Sequence, residues 1–77
     1  MSISKFAAVI DGLDLSTRPK RRHAMTYIIS ALEHIRNEEE AYLARIPENF
    51  QNGEAYAAAD DSISIVSDAI DSLLDAY

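Results

Sequence analysis

Apolar residues recur at intervals of three and four over most of this chain, and nowhere do they alternate as a half-buried strand would. The earliest run is Ile3, Phe6, Ile10 and Leu13. It predicts a short helix over about 3–11, with Ser2 or Ser4 as its cap and Gly12 as its stop. So short a helix does not stand alone in water and must dock on something. Residues 12–17 read as a connector. The second run, Met25, Ile28, Leu32, Ile35, Tyr42 and Ile46, predicts a long helix over about 19–45. Glu39 fills the remaining place on its apolar line, and Ile29 and Leu43 widen it. Pro19 suits a first helical turn, where its missing N–H is not needed. Pro47 stops the helix by pushing Ile46 out of the helical region. The third run, Tyr56, Ala59, Ile63, Val66, Ile70, Leu73 and Tyr77, is unbroken and predicts a helix over about 54–76.

Between the two long helices lies a link, 46–53, bracketed by Pro47 and Gly53. A link that short makes its neighbours antiparallel. Phe50, in this polar link, is expected to fold back over the end of the pair. The matched repeats on either side let the helices close on each other with coiled-coil-like packing. The expected fold is therefore all-α: one domain over 1–77, an antiparallel helical hairpin preceded by a short N-terminal helix.

A domain of this size buries only roughly 60% of its unfolded surface, so small chains lean on staples or self-association. With no cysteine there is neither a disulfide nor a cysteine-based zinc site. Self-association remains. The third helix offers a second line for it: Ala58, Ser62, Ile65, Ala69, Ser72 and Ala76, again at threes and fours. Small residues let another helix approach closely. The expectation is a homodimer closing a four-helix bundle, with the N-terminal helix as the other candidate cover.

The formal net charge of −6 is unevenly spread. Arg18, Lys20, Arg21 and Arg22 supply four of the seven basic residues, whereas 23–77 carries a net −9. Asp60, Asp61, Asp68, Asp71 and Asp75 fall on one face of the third helix, although aspartate is a mediocre helix former. Such a body disfavours nonspecific contact with nucleic acid or anionic membranes and favours a basic partner. The absence of a long apolar run and of a secretory leader pattern points to the cytoplasm and away from the membrane.

Little in the chain speaks for catalysis. There is no nucleophile elbow and no phosphate-binding glycine loop. His34 and Glu38 stand one helical turn apart, but neither His23 nor His34 has the Glu-x-x-His spacing of carboxylate-bridged metal bundles. No metal and no cofactor are expected. Glu39 on the apolar line is expected to bend outward or to pair with Arg36 or Arg45. The basic cluster sits at a helix N-terminus, where the macrodipole opposes cations by up to ~1 kcal/mol each. A bound anion or a nearby acidic side chain would compensate.

The segments Glu38-Glu39-Glu40-Ala41-Tyr42 and Ile46-Pro47-Glu48-Asn49-Phe50-Gln51, followed by Asp68-Ala69-Ile70-Asp71-Ser72-Leu73, resemble a group of short acidic proteins. These occur in bacteria, phages and mobile elements, and no activity is assigned to them. The resemblance spans roughly 28–77 and implies a helical hairpin of mobile-element origin. The expected function is a noncatalytic protein-binding module. One form is a phage or mobile-element inhibitor, of anti-defence or DNA-mimic type, that binds the basic surface of a nucleic-acid-binding protein. The alternative is a small DNA-binding regulator using Arg18 to Arg22.

Overall fold

The computed structural model describes residues 12–77. The expected helix over about 3–11 lies outside the described residues. The described chain forms two helices: α1, Arg18–Arg45, and α2, Glu54–Leu74, with a single 3-10 turn, Glu48–Phe50, between them. No strand is present among the described residues. The fold is an all-helical hairpin.

Each boundary has a local cause. Thr17 is extended, and its hydroxyl accepts from the Lys20 N–H at 3.3 Å, capping α1 one residue before the proline signal would start it. Ile46 leaves the helical region at ψ 124°, as a residue preceding proline must. The link is then tied by backbone bonds from the N–H groups of Phe50, Gln51 and Gly53 to the carbonyls of Pro47, Glu48 and Phe50. Gly53 caps α2 with an ordinary negative φ. A Cβ there would stand 3.2 Å from the Phe50 carbonyl oxygen, a tight contact that this link would have to relax by a few tenths of an ångström to accept.

α2 buries the expected line. Ala59 and Ile70 are buried, and Tyr56, Ile63, Val66 and Leu73 are half-buried. α1 presents a different line from the one its apolar spacing predicts. Two lines share Met25, Leu32, Glu39 and Ile46 and differ in the places between. One takes Ile28, Ile35 and Tyr42; the other takes Ile29, Arg36 and Leu43. The second line faces α2. Ile29 is buried and Arg36 and Leu43 are half-buried; of the first line Ile28 stays half-buried, whereas Ile35 is 51% and Tyr42 42% exposed. Leucine and isoleucine fill the seam as well as tyrosine and leave no hydroxyl to satisfy. The remaining exchange, Arg36 for Ile35, is tolerable because arginine lays its hydrocarbon stem on apolar surface and keeps its head in water.

One further expectation changes, and one narrows. Phe50 is 62% exposed and so is not folded back over the end of the pair; backbone hydrogen bonds close the link. Glu39 is half-buried, and among the described residues neither Arg36 nor Arg45 approaches it within ion-pair distance. The resulting core is thin. Among the described residues only Ala24, Ile29, Ala59 and Ile70 are buried, and no large side chain is completely enclosed.

Ile70→Ala should therefore cost about 2–4 kcal/mol, as for other buried isoleucines. Phe50→Ala should cost no more than about 0.5 kcal/mol, as a surface change. Urea denaturation monitored by circular dichroism checks both. Equal losses would mean that Phe50 does hold the end of the hairpin.

Candidate acidic and apolar faces

A simple offset rule places the remaining side chains. Helical residues advance by about 100° each. Residues one place after the seam positions therefore lie to one side of the seam, and residues one place before lie to the other. In an antiparallel pair of right-handed helices, the same offset on both chains leads to the same side of the hairpin.

On the side after the seam stand Glu33 and Glu40 of α1, next to Leu32 and Glu39, together with Asp60 and Asp71 of α2, next to Ala59 and Ile70. Asp61, Asp68 and Asp75 continue this charge around the back of α2. All five aspartates are exposed. Among the described residues none of them forms an ion pair; the one ion pair is Lys20 with Asp14. The acidic face predicted on one helix is therefore shared by two. The contribution of Glu33 and Glu40 was visible in their position beside the apolar line, but only once the true seam of α1 was known.

The basic cluster is disposed differently. The Lys20 ammonium donates to Asp14 Oδ2 at 2.7 Å. The Arg21 guanidinium donates to the Leu15 carbonyl at 3.0 Å. The Arg18 guanidinium lies over the Tyr77 ring, 4.8 Å from its centroid. Three of the four basic side chains thus have partners within the chain, and an acidic neighbour, Asp14, answers the charge at this helix end. Spacing rules missed these partners because all lie outside the helix that carries the cluster. The one available signal was Asp14 two residues before Ser16, the mark of an Asx turn. Ser16 indeed donates to Asp14 Oδ1 from its backbone N–H at 3.0 Å and from its hydroxyl at 2.7 Å.

A hollow of about 280 Å³ lies beside these turns, walled by Leu13, Asp14, Pro19, Lys20, His23 and Ala24. Its lining is mainly apolar and its lysine is already bonded to Asp14, so it lacks the convergent polar groups that fix a small ligand. Among the described residues no three His, Cys, Asp or Glu side chains converge as a metal site. His34 and Glu38 are both exposed. No described helix is long and apolar enough to cross a membrane.

The line expected to mediate self-association, Ala58, Ser62, Ile65, Ala69, Ser72 and Ala76, is exposed throughout. Each of its members stands one place before a seam position of α2. It therefore occupies the side of the hairpin opposite Asp60 and Asp71.

Asp14 gives this region a measurable signature. The Lys20 ammonium above all, then the Ser16 N–H and hydroxyl, draw its carboxyl down from 3.8 to about 2. A lowered carboxyl stabilises the fold above its unfolded value, and that contribution disappears as the pH falls through the folded one. In an NMR titration the Asp14 carboxyl should turn over near pH 2. Lys20→Met should move that midpoint up toward 3.8, and an unmoved midpoint would show that the lysine does not hold the carboxylate.

No family model matches this chain, and comparison with curated proteins and with solved structures likewise finds no match.

Proposed function

We propose that this chain is a noncatalytic, self-associating protein-binding module that engages a basic protein surface through its acidic face. Its mode of action would be that of a small mobile-element inhibitor, directed at a nucleic-acid-binding protein in the cytoplasm. The observation that carries the reading is the one-sided acidic surface. Five exposed aspartates and two glutamates from two helices share the side and back of the hairpin, and no described cation pairs with the aspartates. Mutual repulsion on such a surface gives the isolated chain nothing but solubility. A cationic partner relieves it and is drawn in from a distance.

Charge density decides between a patch and a copy of DNA. Duplex DNA carries one charge per ~1.7 Å, or about nineteen over the ~32 Å length of a helix such as α2. α2 and its cap carry six acidic residues, and Glu33 and Glu40 add two. Less than half the density of a duplex favours recognition of a basic patch over charge-for-charge mimicry. The alternative of a DNA-binding regulator is weakened by the partners that Arg18, Lys20 and Arg21 already have.

The test is a pull-down from bacterial lysate at about 0.15 M and about 1 M salt, where the Debye length falls from ~8 to ~3 Å. Wild type should retain basic proteins at the lower salt and release them at the higher. Asp61→Asn, Asp68→Asn and Asp75→Asn combined should keep the helicity and lose those proteins. Identical partners on the triple variant, released at the same salt, would make the acidic face a solvated surface and nothing more.

A further inference from the structure

The seam chosen by α1 leaves an apolar line beside it, half-buried at Ile28 and exposed at Ile35 and Tyr42. Ile28, Ile35 and Tyr42 each stand one place before Ile29, Arg36 and Leu43. By the offset rule they fall on the same side as Ala58, Ser62, Ile65 and Ala69 of α2. The two lines form one face, two helices wide. Its edges are large and its middle is small. Ile35 and Tyr42 stand along α1, Ile65 stands 67% exposed on the outer flank of α2, and Ser62 and Ala69 lie between. Large apolar side chains thus flank small ones on this face.

We propose that this composite face, and not the small-residue line of α2 alone, is where a second copy of the chain docks. The two acidic faces of the dimer then point outward in opposite directions. The inference rests on the self-associating part of the proposed function and specifies its geometry.

Three observations favour a second copy as the occupant. The first is area. A face two helices wide, at ~8–10 Å between axes and ~32 Å long, has a footprint of about 600 Å². Its accessible surface is larger and of the order of the ~800 Å² per partner that stable dimers bury. The second is charge. The α2 line carries none in 58–72, and the α1 line between Ile28 and Arg45 carries only Glu38 and Arg45, of opposite sign. Of the acidic residues that would repel a like chain, Glu33, Glu40, Asp60 and Asp71 lie on the far side, and Asp61, Asp68 and Asp75 lie around the back of α2. In a face-to-face dimer two helix layers, ~20 Å, separate the acidic faces, well beyond the ~8 Å Debye length at physiological salt. The third is shape. Large side chains that flank small ones are self-complementary under a two-fold axis, which sets Ile35 or Ile65 of each copy against the small residues of the other.

The test is sedimentation equilibrium of the full chain, with helicity monitored by circular dichroism. Wild type should be a dimer at tens of micromolar. Ile35→Glu and Ile65→Glu, made separately at positions outside the seam, should each weaken dimerisation roughly tenfold or more while the helices persist. If either glutamate unfolds the chain, the corresponding serine variant is read in the same way. The combined Asp61, Asp68 and Asp75 to Asn variant should dimerise at least as well as wild type. A wild-type dimer indifferent to Ile35 overturns the composite face and leaves self-association standing. A wild-type monomer at about 100 µM overturns both and leaves the N-terminal segment, residues 1–11, as the candidate cover of this face. Failure of the acidic-face reading appears only in the pull-down and leaves the sedimentation result untouched.

Discussion

Two helices that meet along a single line can hide only about 100° of each circumference. Most of this chain's organisation stems from that limit. The seam between α1 and α2 buries one residue per turn or fewer and encloses no large side chain completely. It even admits Arg36 and Glu39 at half-burial. What the seam cannot cover is sorted to its two sides. Glu33, Glu40 and the aspartates of α2 lie after the seam positions and around the back. Ile28, Ile35 and Tyr42 lie before them, with the small residues of α2. A hairpin evolved only to stay soluble would have no reason to keep isoleucine at 35 and arginine at 36, since exchanging them would improve the seam and the surface together. The order found makes sense if the side bearing Ile35 has a use of its own.

The antiparallel arrangement also accounts for the basic cluster. Arg18, Lys20 and Arg21 sit in the first turn of α1, which holds no acidic residue, so the helix dipole opposes them. The last turn of α2 has the converse fault, with Asp75 at its cap and no basic residue. Folding the chain into a hairpin sets these two ends side by side. Arg18 reaches the ring of Tyr77 just beyond α2, bringing a cation to the negative end of that helix. Asp14 supplies the carboxylate that the first turn of α1 lacks. The cluster is thus partly explained by the fold itself, which removes much of the motive for assigning it to nucleic acid.

The legibility of the sequence tracked the redundancy of its signals. α2 was readable because every seam position from Tyr56 to Leu73 is apolar, whereas the competing line from Ala58 to Ala76 is mostly small alanine and serine. The ends of α1 were readable because Thr17, Pro19 and Pro47 act through local backbone sterics and hydrogen bonding, which need no knowledge of the partner helix. The seam of α1 was not, because two lines share four positions and differ by a rotation of one residue. Counting apolar residues favours Ile35 over Arg36, and only the azimuth imposed by α2 reverses that choice. Phe50 misled for a related reason. An apolar residue in a link suggests a lid, but three backbone hydrogen bonds had already closed the turn. The partners of Arg18, Lys20 and Arg21 were hidden because a carbonyl, an Asx turn and the last residue of the chain lie at no helical spacing from them.

Segregation of the two faces has a thermodynamic consequence. With so thin a seam, the hairpin is near the limit at which a small domain folds without staples, and the chain has no cysteine to supply one. If the composite face closes between two copies as proposed, its burial adds to folding as well as to assembly, and apparent stability rises with protein concentration. The acidic side takes no part in that gain. Its charges lie outside the seam and outside the proposed contact, so they can be drawn toward a cationic surface without disturbing what holds the helices together. Assembly and recognition would then depend on different residues, to one side of the seam and to the other side and back of α2. On the proposed reading, a substitution at Ile35 or Ile65 would act on assembly, and one at Asp61 or Asp68 on attraction. Only a change in the seam itself, at Ile29 or Ile70, removes both.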